Sequence, residues 1–267
     1  MSYEKKIAII GGGNIGTAIL KGFLASGKIP PANLSITRRK TSLLAGFREE
    51  GVNVSADNLP VVKSSDIIIL AVLPRQLESV VEEIAPVLDG GKILVSVVTA
   101  FTIEEIGKMA GNKSPVVRAM PNTAIAVGES MTCLSASDET AEALGEVTRY
   151  FELCGEVLPI NEKLQPAATI LAACGIAFFM RYIRAASQGG IQVGFHASEA
   201  QLIAAQTAKG ATRLLLSSGN HPETEIDKVT TPMGCTIAGL NEMEHNGMSS
   251  ALIKGIITSY TEITKLK

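Results

Sequence analysis

The 267 residues leave room for one large domain or two smaller ones, and two is the expected division. A formal net charge of -2 sets up no broad positive field, so neither nucleic acid nor an anionic membrane is an expected partner. Four widely spaced cysteines, Cys133, Cys154, Cys174 and Cys235, make no CxxC pair, and no histidine stands at metal-ligand spacing. The sequence therefore predicts reduced thiols in a cytoplasmic protein without a metal site.

In chain order, the apolar run Lys6-Ile-Ala-Ile-Ile10 passes at once into Gly11-Gly-Gly-Asn-Ile-Gly16 and then into a helical stretch through Leu24. Glu4, Lys5 and Lys6 interrupt any secretory pattern ahead of it. Strand, glycine turn and helix in this order suit a dinucleotide. Gly11 permits the tight bend, Gly13 lets backbone approach a pyrophosphate, and Gly16 lets helix and strand pack closely. The phosphate charge then faces unpaired N–H groups at the helix start, among them those of Asn14 and Ile15. An ordinary βα turn uses the same glycines, and it is the flanking strand and helix that favour the dinucleotide.

The second strand of such a unit normally ends in an acid that hydrogen-bonds the ribose 2'-hydroxyl. This chain has Leu34-Ser-Ile-Thr-Arg-Arg-Lys40 there instead. Thr37, Arg38 and Arg39 offer a hydroxyl and two guanidinium groups to a 2'-phosphate, which favours NADP(H) and leaves NAD(H) possible. The competing reading is a solvated basic loop.

From Lys6 to about Leu158, short β-rich runs alternate with helical patterns, as in a mostly parallel sheet covered by helices. Strands are expected at residues 6–10, 34–37, 53–55, 67–71, 93–97, 116–120, 130–134 and 156–158. Residues 67–70 and 93–95 are apolar without alternation and belong in the middle of the sheet, covered on both faces. After Asn161 nearly everything reads as helix. Ala167, Ile170, Leu171, Cys174 and Phe178 make one apolar stripe, while Ala168, Ala172, Ala173, Ile176 and Phe179 fill the opposite side. A helix apolar all round must be surrounded, and a second subunit is the most economical cover. Its uncharged stretch, residues 164–180, is shorter and more polar than a spanning helix of roughly 20 apolar residues, so a buried helix is expected. Ser198-Glu-Ala-Gln201 resembles a capping box opening a helix that stops near Gly219. Further helices are expected from residues 234–236 to Asn246-Gly247 and after Ser249. The division that results is residues 1–162 and residues 163–267.

Ligands of an open parallel sheet bind beyond the carboxyl ends of its strands. The loops there are Ala71-Val-Leu-Pro74, Ser96-Val-Val-Thr-Ala100 and Met120-Pro-Asn-Thr123, small, neutral or amide-bearing, with no evident general acid or nucleophile. The second informative cluster is Asp227-Lys-Val-Thr-Thr-Pro-Met-Gly-Cys-Thr-Ile237. Thr231-Pro232 breaks any preceding helix, Gly234 permits an unusual backbone, and Thr236 falls in the first turn of the next helix. Free N–H groups of Gly234, Cys235 and Thr236 make a second anion site for a small carboxylate, leaving the Thr236 hydroxyl to reach a ring nitrogen. Simple helix capping by Thr230, Thr231 and Thr236 is the alternative. His196, His221 and His245 read as loop and helix-end residues, and Lys209, Glu225, Glu242 and Glu244 as surface charges.

Taken together, these residues resemble the pyrroline-5-carboxylate reductase family over essentially the whole chain. The resemblance rests on the glycine turn with Lys21-Gly-Phe23, Ala56-Asp-Asn58, Ala71-Val-Leu-Pro74, and Arg118-Ala-Met-Pro-Asn-Thr123 with Val127-Gly128. It continues through Gln206-Thr207, Ser218-Gly-Asn-His-Pro222, the cluster from Asp227 to Ile237, and Glu244-His-Asn-Gly247. It implies an α/β fold with an N-terminal Rossmann-type, mostly parallel sheet domain and an all-helical C-terminal dimerisation domain. The implied activity is reduction of 1-pyrroline-5-carboxylate to L-proline, the last step of proline biosynthesis, with hydride from NAD(P)H. It places cofactor residues at Gly11, Gly13, Asn14, Ile15, Gly16, Thr37, Arg38, Arg39 and Asn58, and at Ala71, Val72, Leu73 and Pro74. Substrate residues fall on Asn122, Thr231, Gly234, Cys235 and Thr236, with Thr236 facing the imine nitrogen. A homodimer through the C-terminal helices is implied, with further assembly in many members.

Three features depart from the family pattern. Ala172-Ala-Cys-Gly-Ile-Ala-Phe178 stands for a Ser-Gly-Ser-Gly-Pro-Ala-Tyr segment, Val72-Leu-Pro74 lacks the lysine of Val-Lys-Pro, and Met233 stands where relatives carry glycine. Two other functions fit a similar build. A 3-hydroxyacid dehydrogenase needs a lysine base on the first interdomain helix, where this chain has Lys163 before the helix and no other until Lys209. A non-catalytic NADPH-binding regulator would fit a decayed substrate pocket.

Overall fold

The computed structural model describes residues 3–265. The eight expected strands form, as β1 (Ile7–Ile10), β2 (Leu34–Thr37), β3 (Asn53–Ser55), β4 (Ile67–Leu70), β5 (Ile93–Ser96), β6 (Val116–Met120), β7 (Ser130–Ser135) and β8 (Gly155–Pro159). Between them run α1 (Asn14–Ser26), α2 (Ala45–Glu49), α3 (Asn58–Lys63), α4 (Pro74–Ile84), α5 (Ile103–Met109) and α6 (Ala141–Phe151). All eight strands belong to one sheet in the order β3-β2-β1-β4-β5-β6-β7-β8. The strands from β3 to β6 are parallel, β7 runs antiparallel to β6, and β8 is parallel to β7. The order reverses at β1, which pairs with both β2 and β4, so a crevice opens beyond the carboxyl ends of β1 and β4.

The unbroken apolar runs of the central strands follow from cover on both sides. Ile7 and Ile9 face a core shared with Leu20 and Phe23 of α1 and Val147 and Phe151 of α6. Ala8 and Ile10 face the opposite core with Val61 of α3 and Leu77, Val81 and Ile84 of α4. Successive strand residues thus feed two apolar layers, and alternation disappears. Close approach of α1 to the strand turn depends on Gly16, where a Cβ would overlap the carbonyl oxygen of Gly11. The helix ends on Gly27, in the left-handed conformation at φ 63°, whose N–H bonds the Leu24 carbonyl at 3.1 Å.

Beyond β8 the described chain is helical: α7 (Gln165–Ala168), a π-helical turn (Thr169–Cys174), α8 (Gly175–Gln192), α9 (Ala197–Ser218), α10 (Pro222–Asp227), α11 (Cys235–His245) and α12 (Met248–Thr264). Two compact units result. One runs through Ile176 and takes in the chain from Tyr260; the other is Ala177–Ser259. The helical run Glu162–Gln192 is, by length and composition, long and apolar enough to cross a membrane. It exceeds the uncharged stretch seen in the sequence because it continues past Arg181 and Arg184. Nor is it buried within a single chain, as expected of an apolar helix: Leu171 and Phe179 are each 67% exposed. Between Ala177 and Ser259 only Ser187 and Ala200 are buried. A unit with so little interior does not offset its own ordering entropy, and its apolar faces call for cover from outside the chain.

The start of α9 lies two residues before the expected capping box. Gly194, at φ 115°, ends the preceding helical run, and the Glu199 carboxylate accepts from the His196 backbone N–H at 3.0 Å. Ser198 is therefore already inside the first turn. Before α11 the chain makes a β-turn, with the Gly234 N–H on the Thr231 carbonyl at 2.9 Å. Pro232 holds the first central position, and Met233 takes the second at φ 59°, where such a turn favours glycine.

Two substitutions test these local claims. Gly16→Ala forces the helix off the strand turn and should lower stability by about 2 kcal/mol or more, read by urea unfolding; an unchanged midpoint would show slack at that contact. Met233→Gly should raise stability by about 0.5–1 kcal/mol, because relief of the left-handed backbone exceeds the added chain entropy. A loss there would mean that the Met233 side chain is packed in the assembled protein.

Candidate functional site

The glycine turn sits at the crevice where the strand order reverses. Gly11 adopts φ 110°, and a Cβ on it would overlap the Ala71 carbonyl, so the loops after β1 and β4 touch only because it has none. The Ala71 N–H bonds the Ile10 carbonyl at 2.8 Å, fixing the second loop to the first strand. Gly11 and Gly12 both donate to the Thr37 carbonyl, at 3.2 and 2.7 Å. Gly13 is the N-cap of α1 and brings no side chain to its opening amides, and a Cβ there would meet nothing within 4 Å. Open space in front of uncapped helix amides is what a pyrophosphate needs.

A cavity of about 950 Å³ opens from this turn. Gly11, Gly13, Asn14 and Ile15 line it, as do Thr37, Arg38 and Arg39 from the end of β2, Asn58, and Ala71, Val72 and Leu73 after β4. Gly16 lies behind the lining, against the Gly11 carbonyl, and Pro74 opens α4. Lys40 lines the cavity beside the two arginines, and α4 supplies a further wall through Gln76, Ser79, Val80 and Glu83 that residue types alone did not mark. The spacing of 76, 79, 80 and 83 is one face of a helix, and that was the available signal.

The rim is more organised than a list of basic residues suggests. Thr37 is buried and its hydroxyl donates to Asn58 Oδ1 at 2.7 Å, while Asn58 Nδ2 donates to Glu83 Oε2 at 3.0 Å. The Thr37 proton is thereby committed within the protein. Arg38 Nη1 donates to the Gly12 carbonyl at 2.6 Å. Arg39 and Lys40 are exposed.

The loop after β5 belongs to a different hollow of about 360 Å³, lined by Thr99, Ala100, Phe101, Thr102, Arg118 and Glu162 among others. Ala100 there takes φ 74°. Arg118 Nη1 donates to Glu162 Oε1 at 3.1 Å, and the same oxygen accepts from the Ile103 N–H at 2.7 Å. Asn122, after β6, does not line the large cavity, although Thr123 does. Its Oδ1 accepts from the Ala124 N–H at 2.9 Å and its Nδ2 donates to the Ala172 carbonyl, in the π-helical turn, at 3.2 Å. Asn122 is thus a strut between sheet and helix.

In the helical unit, Gly234 is the N-cap of α11, whose opening amides have no side-chain cap. Thr236 is the second residue of that helix, while the Thr230 hydroxyl donates to the Asp227 carbonyl at 3.0 Å. Thr231 stands at the head of the turn, its Oγ1 2.6 Å from where a Cβ on Gly234 would lie, so a side chain at 234 would push that hydroxyl aside. All four cysteines are free, and burial pushes the Cys154 thiol up to about 12, which leaves it unreactive.

The comparisons converge with this geometry. A family described as pyrroline-5-carboxylate reductase dimerisation matches residues 162–266, and one described as NADP oxidoreductase, coenzyme F420-dependent, matches residues 6–100. Pyrroline-5-carboxylate reductase 2 of Dictyostelium discoideum is 44% identical, over 98% of this chain and 93% of its own length. Pyrroline-5-carboxylate reductase 1 of the same organism is 45% identical over 99% of this chain, which spans 50% of that longer protein. The crystal structure of a Plasmodium falciparum pyrroline carboxylate reductase with NADP bound shares the fold at TM-score 0.87 and 24% identity, covering 98% of each chain. With a glycine turn at the switch point of the sheet, a helical unit that needs an outside cover, and near full-length identity of this level, the chain belongs to the pyrroline-5-carboxylate reductase family.

Proposed function

We propose that the protein reduces 1-pyrroline-5-carboxylate to L-proline, with NADP(H) preferred to NAD(H). The observation that carries this reading is the uncapped start of α1 facing open space beside the Ala71 loop, within a chain of this family. The residues present fit a dinucleotide. Gly11, Gly13, Asn14 and Ile15 give it backbone, Arg38 and Arg39 give positive charge where an acid would exclude a 2'-phosphate, and Asn58 and Ala71 to Pro74 frame its two ends. When bound, the reduced nicotinamide supplies the hydride.

Every other element of the chemistry falls to the chain. Amides of Gly234, Cys235 and Thr236 hold the substrate carboxylate at the start of α11, with Thr231 shaping the turn before them. The Thr236 hydroxyl orients the ring nitrogen, and Asn122 braces the loop after β6. An imine protonates readily in water, so the site needs positioning more than a strong acid, in keeping with its neutral loops. The missing lysine base after Lys163 disfavours oxidation of a hydroxyacid. We further propose residues 1–162 as the cofactor domain and 163–267 as the substrate and dimerisation domain. A homodimer covers the exposed apolar helices, and the free cysteines support a cytoplasmic location.

The test is to mix purified protein with 1-pyrroline-5-carboxylate and either NADPH or NADH and to follow cofactor absorbance and proline formation. Turnover faster with NADPH is expected; turnover of a hydroxyacid, or dinucleotide binding without imine reduction, would overturn the assignment. In the same assay Thr236→Ala should lose about 10- to 100-fold in kcat/KM for the imine, with NADPH affinity unchanged. Full activity in that variant would remove Thr236 from the mechanism.

A further inference from the structure

Arg38 and Arg39 are neighbours in sequence with opposite situations in the fold. The Arg38 guanidinium is folded back onto the glycine turn, where Nη1 donates to the Gly12 carbonyl at 2.6 Å, a short, charge-assisted bond. Its backbone is pinned as well, since the Arg38 N–H bonds the Ser55 carbonyl at 3.0 Å while Gly12 N–H holds the carbonyl of Thr37, the residue before it. Leu44 packs on the same spot: a Cβ at Gly12 would lie 3.0 and 3.1 Å from its methyl carbons and 3.3 Å from Arg38 Cβ. The Gly12 carbonyl and the Gly13 N–H share one rigid, planar peptide unit. A guanidinium holding that oxygen therefore fixes the direction of the amide at the head of α1. Arg39 and Lys40, by contrast, are exposed on the cavity rim, and neither side chain pairs with another described residue.

We propose that Arg38 is a positioning residue for the glycine turn, and that the charge reading the cofactor's 2'-phosphate resides on Arg39 and Lys40. The inference rests on the cofactor assignment above and divides work that residue types alone assign to both arginines together. Thr37 takes no part in phosphate recognition, because its hydroxyl proton is held by Asn58. Loss of Arg38 loosens the amides that every nicotinamide dinucleotide uses, so it penalises NADPH and NADH alike. Loss of Arg39 leaves the turn intact and removes a contact that only NADPH makes.

Equilibrium binding of NADPH and of NADH, measured by calorimetry on the full-length protein without substrate, separates the two roles. For Arg38→Gln, both dissociation constants should rise by about tenfold, with their ratio unchanged. Arg38→Lys, which can still reach the Gly12 carbonyl, should recover part of that loss and guards against a folding defect in the glutamine variant. For Arg39→Gln, the NADPH constant alone should rise by about tenfold. Selective loss of NADPH affinity in Arg38→Gln would overturn the division of roles, as would unchanged selectivity in the double variant Arg39→Gln, Lys40→Gln. Wild-type protein that binds neither dinucleotide would overturn the cofactor assignment itself.

Discussion

The contact on which the rest depends is the approach of α1 to the turn that feeds it. With glycine at 16, the helix lies directly on the Gly11 carbonyl, and with glycine at 11, that turn lies directly on the carbonyl of Ala71. Three backbone segments meet without intervening side chains, at the point where the strand order reverses. The helix start is then both exposed to the cavity and rigidly placed, two conditions that rarely coincide on a loop. Arg38 and Leu44 press on the turn from the side of β2, so the sheet's register reaches the amides that would meet phosphate.

The helical unit poses the complementary problem. Its helices are well formed and properly terminated, yet almost nothing between Ala177 and Ser259 is buried. Apolar side chains such as Leu202, Leu214 and Leu216 remain exposed in the single chain. Helix propensity and capping give such a unit its shape, but the hydrophobic term that would hold it must come from another surface. The match to a dimerisation family over residues 162–266 supports homo-oligomerisation as the source of that surface. The match to a dimerisation family and the turn before α11 therefore lie in one stretch of sequence.

Much of this was legible in the sequence, for a physical reason. Buried parallel strands advertise themselves as unbroken apolar runs, and residues 67–70 and 93–95 did so. The glycine turn was readable because Gly11 and Gly16 answer steric demands that no other residue meets. Met233, where relatives carry glycine, does take a glycine-favouring backbone, at the second central position of a turn that has proline at its first. What escaped depended on side-chain orientation. Residue types could not tell that the Thr37 hydroxyl turns to Asn58, that Arg38 folds onto Gly12, or that both ends of the Asn122 amide are engaged. The onset of α9 was misplaced because serine two residues inside a helix looks like a cap until Gly194 is known to end the preceding helix. The π-helical turn at Thr169–Cys174 has no sequence signature at all.

A crystal structure with NADPH bound tests the central claim most directly. The account predicts the pyrophosphate within hydrogen-bonding distance of the amides that open α1, with Gly16 unmoved against the Gly11 carbonyl. A dinucleotide seated elsewhere, with those amides covered by protein or facing bulk water, would contradict it.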